Sequence, residues 1–175
     1  MEEVVIRKAT IDDIPAIVQA CLTSASQEET KGFGAPEWGT YSVPGELKKV
    51  RTTGNKLNDG SEVVVAEKNS EVVGFIVFSL ERDCAYIDDI DITKSEQRKG
   101  IGRNLVAYVE KVAKANGRRR IKTDTTENVE GVPWKSYAFW TKMGFKDTGE
   151  RLPTKWSFKT IPFVKKLEWL IDQVF

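Results

Sequence analysis

Histidine is absent from the 175 residues of this chain, and cysteine occurs only at Cys21 and Cys84. Without histidine the chain lacks the most common general base and metal ligand of enzymes, and every catalytic triad built on histidine is excluded. Proton transfer would have to use carboxylates, tyrosine, cysteine, lysine or water. Because two cysteines are too few for a disulfide framework, the sequence favours a reduced, cytoplasmic protein.

Long hydrophobic runs are also absent. No apolar stretch approaches the roughly 20 residues that a membrane span needs, and the acidic start, Met1-Glu2-Glu3, is unlike a signal peptide. Hydrophobic residues make up 40% of the chain and charged residues 30%, which is typical of globular proteins. We therefore expect a single domain over residues 1–175, without a membrane partner.

The charges are distributed unevenly, although the net charge is only +1. Residues 1–93 carry a net charge of −8, residues 94–122 carry +8, and residues 123–175 carry +1. A strongly basic middle in a neutral chain indicates a local anion site. A solvated helix face would produce the same pattern, so composition leaves both interpretations open.

Hydrophobic periodicity and turn residues predict an alternation of strands and helices. The predicted strands cover residues 4–9, 63–67, 72–80, 84–92, 120–125, 145–150 and 155–161. The predicted helices are 11–24 after an N-cap at Thr10 with Asp13 in the capping-box position, 45–53, 102 to the cap at Gly117, 134–143 opened by Pro133, and a terminal helix with Leu167, Leu170, Ile171 and Val174. A loop at 30–45 contains Phe33, Trp38 and Tyr41, which either pack or line a substrate pocket.

The order of these elements predicts the fold class. Consecutive strands in the middle of the chain imply antiparallel pairing, and the strand-helix-strand unit over residues 86–125 implies a parallel pair. We expect an α/β (α+β) fold with a mixed, mostly antiparallel sheet of six to seven strands and helices on both faces.

One basic, glycine-containing segment lies between a predicted strand and a predicted helix: Gln97-Arg98-Lys99-Gly100-Ile101-Gly102-Arg103. A helix N-terminus presents unpaired N–H groups and the positive end of the helix dipole, and glycine lets a ligand approach the backbone. We interpret the segment as a pyrophosphate cradle, rather than a tight turn that merely needs glycine. It lacks the Gly-Lys-Ser/Thr of nucleotide kinases and the third glycine of a dinucleotide fingerprint.

The segment resembles the Gln/Arg-X-X-Gly-X-Gly/Ala motif of the GNAT superfamily of N-acetyltransferases. The preceding stretch, residues 86–92, is similar to the fourth strand of that family, and eight residues from Ile92 to Gly100 is its usual spacing. Lys142-Met143-Gly144-Phe145 resembles the Lys-X-Gly-Phe that closes the last helix of the family. The resemblance extends over about residues 4–165.

This resemblance implies a sheet splayed open between the fourth and fifth strands, with acetyl-CoA in the cleft. The residues that would bind CoA are Ile90, Asp91 and Ile92, through main-chain bonds to the pantetheine arm, and Gln97, Arg98, Lys99, Gly100, Ile101, Gly102 and Arg103, around the pyrophosphate. A backbone N–H near Ile92 would polarise the thioester carbonyl. The amine would attack directly, without a covalent enzyme intermediate and without a metal.

Asp88 and Asp89 stand where polyamine acetyltransferases of this family carry an acidic pair. An attacking amine must be neutral, whereas a free alkylamine is mostly protonated at neutral pH, so a base is needed. We expect Asp88 or Asp89 to act as this base or to bind the amine. Alternatively they are edge-of-sheet charges or partners of the basic segment. Glu81 and Asp91 are further candidates.

Two positions depart from the family pattern. Trp140 occupies the usual place of a tyrosine that acts as general acid, and Pro133 occupies that of an asparagine. Tyr137, one helical turn before Trp140, could replace the missing acid or could belong to the core or pack against CoA. A thiol has a pKa near 8.5, so the thiolate is a fair leaving group without an acid.

The sequence therefore predicts a cytoplasmic N-acetyltransferase that moves an acetyl group from acetyl-CoA to a polyamine-like small amine or a protein amine. The alternative is a CoA-binding sensor or regulatory module that has lost catalysis. A homodimer is one assembly that the chain could form. Cys84 is expected to be a small buried residue. Residues 118–120, three arginines after a helix, are interpreted as partners of the helix dipole rather than a nucleic-acid site.

Overall fold

The computed structural model describes residues 3–26, 29, 60–154 and 158–168. The strands are β1 (Val4–Lys8), β2 (Glu62–Lys68), β3 (Glu71–Leu80), β4 (Ala85–Ile92), β5 (Arg120–Glu127), β6 (Lys146–Asp147), β7 (Leu152–Pro153) and β8 (Lys159–Lys166). The α-helices are α1 (Ile14–Thr23), α2 (Ile101–Ala115) and α3 (Ser136–Lys142), and Ile11–Asp13 and Lys94–Glu96 are short 3-10 helices. The predicted loop at 30–45, the predicted helix at 45–53 and most of the terminal helix lie outside the described residues.

The described strands form one eight-stranded sheet in the order β1-β2-β3-β4-β5-β8-β6, with β7 also paired to β8. The pair β4–β5 is parallel, and the other pairs are antiparallel. The predicted fold class, a mixed and mostly antiparallel sheet with helices on both faces, is confirmed. The sheet has more strands than expected because β6 and β7 are two-residue strands that pair with one long neighbour.

Helices cover the two faces of the sheet in different places. On one face Ile17, Ala20 and Cys21 of α1 pack against Val63, Val65, Phe75 and Val77 of β2 and β3. On the other face α2 and α3 pack over a larger core, with the buried side chains Leu105, Val109 and Trp140 among its members. Every third or fourth residue of α2 is buried, which is the pattern of an amphipathic helix. The two faces are called the α1 face and the α2 face below.

The start of the first helix agrees with the predicted capping box. The Thr10 backbone N–H donates to Asp13 Oδ2 at 2.7 Å, and Arg7 Nη1 contacts the same oxygen at 2.7 Å. The first turn, Ile11–Asp13, is a 3-10 helix and the α-helix begins at Ile14. Pro15 therefore lies at the first turn of α1, where a missing N–H is tolerated.

Three predicted elements have clearly different bounds in the structure. The strand predicted at 145–150 is limited to β6, Lys146–Asp147, because the chain turns at Gly149, whose φ is 84°. The third helix was predicted from Trp134, but it begins at Ser136, because Pro133 bridges to Glu127 and the Trp134 N–H donates to Thr126 O at 2.7 Å. Because residues 133 and 134 are hydrogen-bonded to the end of β5, the helix begins only after them.

The last long strand was predicted at 155–161, whereas β8 runs from Lys159 to Lys166. Its bounds follow from β5, since it pairs along the full length of that strand, from Arg120–Lys166 to Glu127–Lys159. Residues 155–157 lie outside the described part of the chain. Among the helices that are described, none has the length and apolar character required to span a membrane.

Candidate active site

The sheet opens between β4 and β5. Within the described residues their ladder consists of two pairs, Ala85–Ile121 and Tyr86–Lys122. Immediately beyond them the Thr123 hydroxyl donates to Ile87 O at 3.0 Å, so a side chain takes the place of the next backbone bond. The remainder of β4 and β5 diverges into a wedge. On the edge of β4 that faces the wedge, backbone N–H and C=O groups after Tyr86 are thus not paired with the backbone of β5. An extended ligand could form hydrogen bonds with these groups.

A β-bulge in β4 sets the direction of its side chains. Val77 pairs with Asp89 and Phe78 pairs with Ile87, which leaves Asp88 as the extra residue. Such a bulge shifts the alternation of a strand by one residue. Ile87 and Ile90 consequently both contact the core on the α2 face, and Asp89 lies opposite, on the α1 face beside Val77.

Asp89 and Asp91 form a carboxylate pair on the α1 face at the wedge. The side chains of Cys21 and Ser24, in and just after α1, lie near Asp91. Burial raises the pKa of Asp91 to about 6, although the neighbouring Ser24, Cys21 and Lys135 oppose the shift. Burial, followed by the charge of Asp91, raises the pKa of Asp89 well above its usual range. A carboxyl group with a raised pKa is a stronger base than an ordinary aspartate.

Tyr86 and Asp124 connect the two strands at the opening. The Tyr86 hydroxyl donates to Asp124 Oδ2. Burial raises the pKa of Asp124, and the charge of Asp124 contributes to the raised pKa of Asp89. Sequence reasoning missed this pair. Alternation along β5 placed Lys122 and Asp124 on one side, but only the parallel register brings Asp124 to Tyr86 and the aspartates of β4.

The segment 97–103 has the backbone that an anion cradle requires. Arg98 and Gly100 have φ of 64° and 88°, and Gly100 is the N-cap of α2. The Asn104 N–H donates to Gly100 O at 3.1 Å, so the N–H groups of residues 101–103 precede the first intrahelical bond. A Cβ added at Gly100 would meet no atom within 4 Å, which means that the cradle is open. The residues therefore fit a bound pyrophosphate.

Basic side chains surround the cradle: Arg98, Lys99 and Arg103 are exposed. Lys99 Nζ pairs with Glu96 Oε1 at 2.9 Å, and Glu96 also pairs with Lys68 at 3.0 Å. The charge of Lys99 is thus partly balanced in the structure, whereas Arg98 and Arg103 flank the free N–H groups. The predicted cofactor residues from Arg98 to Arg103 lie together at one end of the wedge.

Gln97 has a structural role within this site. Its Nε2 donates to Ser24 O at 2.6 Å and to Ile92 O at 2.9 Å. The side chain thereby ties the cradle to the end of β4 and to the end of α1. The Gln97 backbone N–H donates to Lys94 O at 3.4 Å, so the amide hydrogens of Gln97 are engaged within the chain.

Gly102 allows α2 and α3 to meet at the wedge. A Cβ at this position would lie 3.0 Å from the Phe139 ring and 4.0 Å from Ile90 Cδ1. Phe139 therefore reaches both the cradle and β4. The predicted pantetheine residues Ile90 and Ile92 are half-buried and border the α2-face core.

Trp140, at the family position of the general acid, and Tyr137, its predicted substitute, both pack away from the carboxylates of β4. Trp140 is 2% exposed and packs edge-on against Phe139 and Phe145 in the core. The Tyr137 hydroxyl donates to Asp147 Oδ2 at 3.1 Å, and its ring packs on Phe163. The bond to Asp147, followed by burial, raises the pKa of Tyr137. These contacts place Tyr137 over β6 and β8.

Lys135 crosses the mouth of the wedge and was also missed by sequence reasoning. Its Nζ donates to Ser24 O at 2.6 Å and lies 3.6 Å from Glu29 Oε1. Glu29 also pairs with Lys94 at 2.5 Å. A lysine next to a tryptophan carries no sequence signal for such a contact, because its partner Ser24 lies 111 residues away.

Both cysteines are buried. Burial, with Glu81 3.2 Å from the sulfur, raises the pKa of Cys84 to about 11, and burial also raises the pKa of Cys21. Thiols in this state are poor nucleophiles, and Cys84 fills the role of a small core residue, as expected.

Residues 26–145 match the sequence profile of the acetyltransferase (GNAT) family. A search of curated proteins found no match to the chain. Among solved structures, a GCN5-related N-acetyltransferase from Rhodopseudomonas palustris has a TM-score of 0.73 at 18% identity, covering 95% of this chain and 98% of that one.

Two further similar structures contain coenzyme A. The PaiA N-acetyltransferase from Thermoplasma acidophilum has a TM-score of 0.61 at 19% identity, with 91% of this chain and 98% of that chain covered. An aminoglycoside 6′-N-acetyltransferase has a TM-score of 0.66 at 18% identity, with coverage of 94% and 97%. At these identities the likeness concerns the fold.

Proposed function

The chain belongs to the acetyltransferase (GNAT) family, and from this premise we propose that it transfers an acetyl group from acetyl-CoA to a primary amine. The observation that supports this proposal most directly is that the wedge between β4 and β5 is open to both faces of the sheet. The anion cradle, α2 and α3 lie on one face, and Asp89 and Asp91 lie on the other. A donor and an acceptor could therefore approach the same opening from opposite faces.

The donor would be held by the cradle and by β4. The N–H groups of residues 101–103 with Arg98 and Arg103 would bind its pyrophosphate, and main-chain groups of residues 90–92 would bind its pantetheine arm. Acetyl-CoA supplies an activated acyl carbon with a thiolate leaving group. A backbone N–H near Ile92 would stabilise negative charge on the acyl oxygen. The coenzyme A complexes of two structural neighbours support this donor.

The acceptor would be a cationic amine that binds to the carboxylates on the α1 face. Asp89 is the stronger candidate base, because burial and Asp91 raise its pKa well above that of an ordinary aspartate. Asp88 is exposed at the bulge and suits amine binding. A polyamine-like small amine or an exposed protein amine has the charge that this surface would attract.

A CoA-binding module without catalysis is the second candidate, and the burial of Trp140 is the observation that favours it. The reaction proposed here needs no acid at that position, since a thiolate can leave unaided. Turnover therefore separates the two candidates.

The test is a calorimetric titration with acetyl-CoA, followed by thiol-release assays with a panel of polyamines and lysine peptides. We expect micromolar binding and thiol release that depends on the amine. Gly100→Glu, which places a carboxylate in the cradle, is the control and should bind no donor. Binding without turnover on any amine would support the sensor, and absence of binding at millimolar acetyl-CoA would exclude both candidates.

A further inference from the structure

The side chain of Lys135 carries a primary amine that lies at the wedge, so the chain itself supplies an amine near the proposed site. Its Nζ and the Gln97 Nε2 donate to the same atom, Ser24 O, each at 2.6 Å. Gln97 Nε2 in turn donates to Ile92 O at 2.9 Å. Lys135 Nζ is therefore linked, through Ser24 O and the Gln97 side chain, to Ile92 at the end of β4, where the proposed function places the acetyl group of acetyl-CoA.

The surroundings of Lys135 favour the neutral amine more than water does. Burial lowers the pKa of Lys135, the charge of Lys94 adds to this shift, and Glu29 and Asp91 oppose it. Since only a neutral amine has a lone pair for attack, a lowered pKa increases its reactive fraction at a given pH. Both Asp91 and Glu29 interact with the ammonium, and Asp91, whose pKa is raised to about 6, could receive its proton.

The side chain is also able to move toward a donor. Lys135 keeps 34% of its side-chain surface exposed, and its partner Glu29 is shared with Lys94. Loss of the Lys135–Glu29 contact would therefore leave Glu29 paired with Lys94. The amine could therefore leave its place on Ser24 O without leaving Glu29 unpaired.

Building on the proposed function, we propose that Lys135 is an acetyl acceptor and that the chain acetylates itself there within one molecule. The Nζ lone pair forms a bond to the acetyl carbonyl carbon, the carbon–sulfur bond breaks, and CoA leaves as a thiolate. Of the two protons that the ammonium gives up, one returns to the thiolate and the other leaves to solvent through Asp91. The product is a neutral amide, which can no longer form an ion pair with Glu29.

The experiment incubates the full chain with acetyl-CoA in the absence of other amines and measures intact mass and peptide masses over time. We expect one added acetyl group at Lys135, formed at least about tenfold faster than at the exposed Lys111 on α2, because Lys135 is held beside the donor. The first-order rate should not depend on protein concentration.

Three variants serve as controls. Lys135→Arg keeps a positive charge and hydrogen-bond donors for Ser24 and Glu29, but arginine is not acetylated. The rapid addition of one acetyl group, called the rapid label here, should therefore disappear. Lys111→Arg should leave the rapid label intact. Gly100→Glu should abolish the rapid label if it requires donor binding in the cradle.

The outcomes separate this inference from the proposed function. If acetyl-CoA binds and external amines are acetylated while Lys135 reacts no faster than Lys111, self-acetylation is wrong and the proposed function stands. A rate that rises with protein concentration would refute transfer within one molecule. If acetyl-CoA does not bind, both proposals are wrong.

Discussion

Replacing Asp91 with asparagine should stabilise the protein at alkaline pH. Burial raises the pKa of Asp91 from 3.8 to about 6, with Ser24, Cys21 and Lys135 opposing the shift. The folded state therefore holds this proton more tightly than the unfolded state. The charged carboxylate costs nothing below pH 3.8, and its cost grows as the pH rises through the interval from 3.8 to about 6.

The size of the effect follows from the pKa shift. One pKa unit corresponds to about 1.4 kcal/mol, so a shift of about two units sets an upper limit of about 3 kcal/mol for Asp91 at pH 8. Solvent in the open wedge screens part of this cost. Asparagine is neutral at every pH. Because the negative charge of Asp91 raises the pKa of Asp89, the substitution also makes ionisation of Asp89 easier. We expect Asp91→Asn to raise the free energy of unfolding by about 1 to 3 kcal/mol at pH 8.

Urea unfolding at pH 4, 6 and 8 measures this difference. The gain should be largest at pH 8 and should vanish at pH 4, where the wild-type carboxyl is largely protonated in the folded state. Glu71→Gln, an exposed carboxylate at the start of β3, is the control and should show no such gain. A loss of stability at pH 8, or an equal change at pH 4 and pH 8, would refute the assignment of Asp91 as a destabilising carboxylate.

Three other predictions concern the cradle, the base and the core. Gly100→Glu should abolish acetyl-CoA binding in calorimetry, whereas Gly100→Ala should retain it and lose only about 1 to 2 kcal/mol of stability, because its Cβ enters open space at a φ of 88°. Asp89→Asn should lower kcat about 100-fold without changing the Kd for acetyl-CoA. It should also remove the fall in activity at low pH that we expect from protonation of Asp89. An unchanged kcat would exclude Asp89 as the base. Trp140→Ala should cost about 3 to 5 kcal/mol in urea unfolding, and Trp140→Tyr should not increase turnover, because this position is buried in the core; a faster Trp140→Tyr enzyme would show that the position reaches the reaction.

The cradle could be predicted from the sequence because its properties are local. Two glycines, neighbouring basic residues and the following amphipathic helix are contiguous, and the structure places Gly100 at the N-cap with a positive φ. The Thr10–Asp13 capping box was predictable for the same reason. The start of the third helix was not, because it depends on Pro133 bridging to β5 rather than on local propensity.

The different roles of the carboxylates on β4 could not be predicted from the sequence. Asp88 and Asp89 were predicted as candidates because they stand where polyamine acetyltransferases of the family carry an acidic pair, but the sequence could not separate their roles. The bulge opposite Val77 and Phe78 leaves Asp88 exposed and turns Asp89 toward the α1 face. This difference arises from strand pairing between residues that are distant in the chain.

The sequence by itself determined the order of the main elements, the mixed sheet and the glycine-containing turn that begins α2, since periodicity, capping and backbone dihedrals depend on residues within a few positions of one another. Only the tertiary structure decided the opening of the sheet after Tyr86, the contact of Tyr86 with Asp124, and the reach of Lys135 to Ser24. The pKa values of Asp89 and Asp91 belong to this second group. A carboxyl group's proton affinity depends on the charges and the burial around it, and these exist only when distant segments of the chain come together.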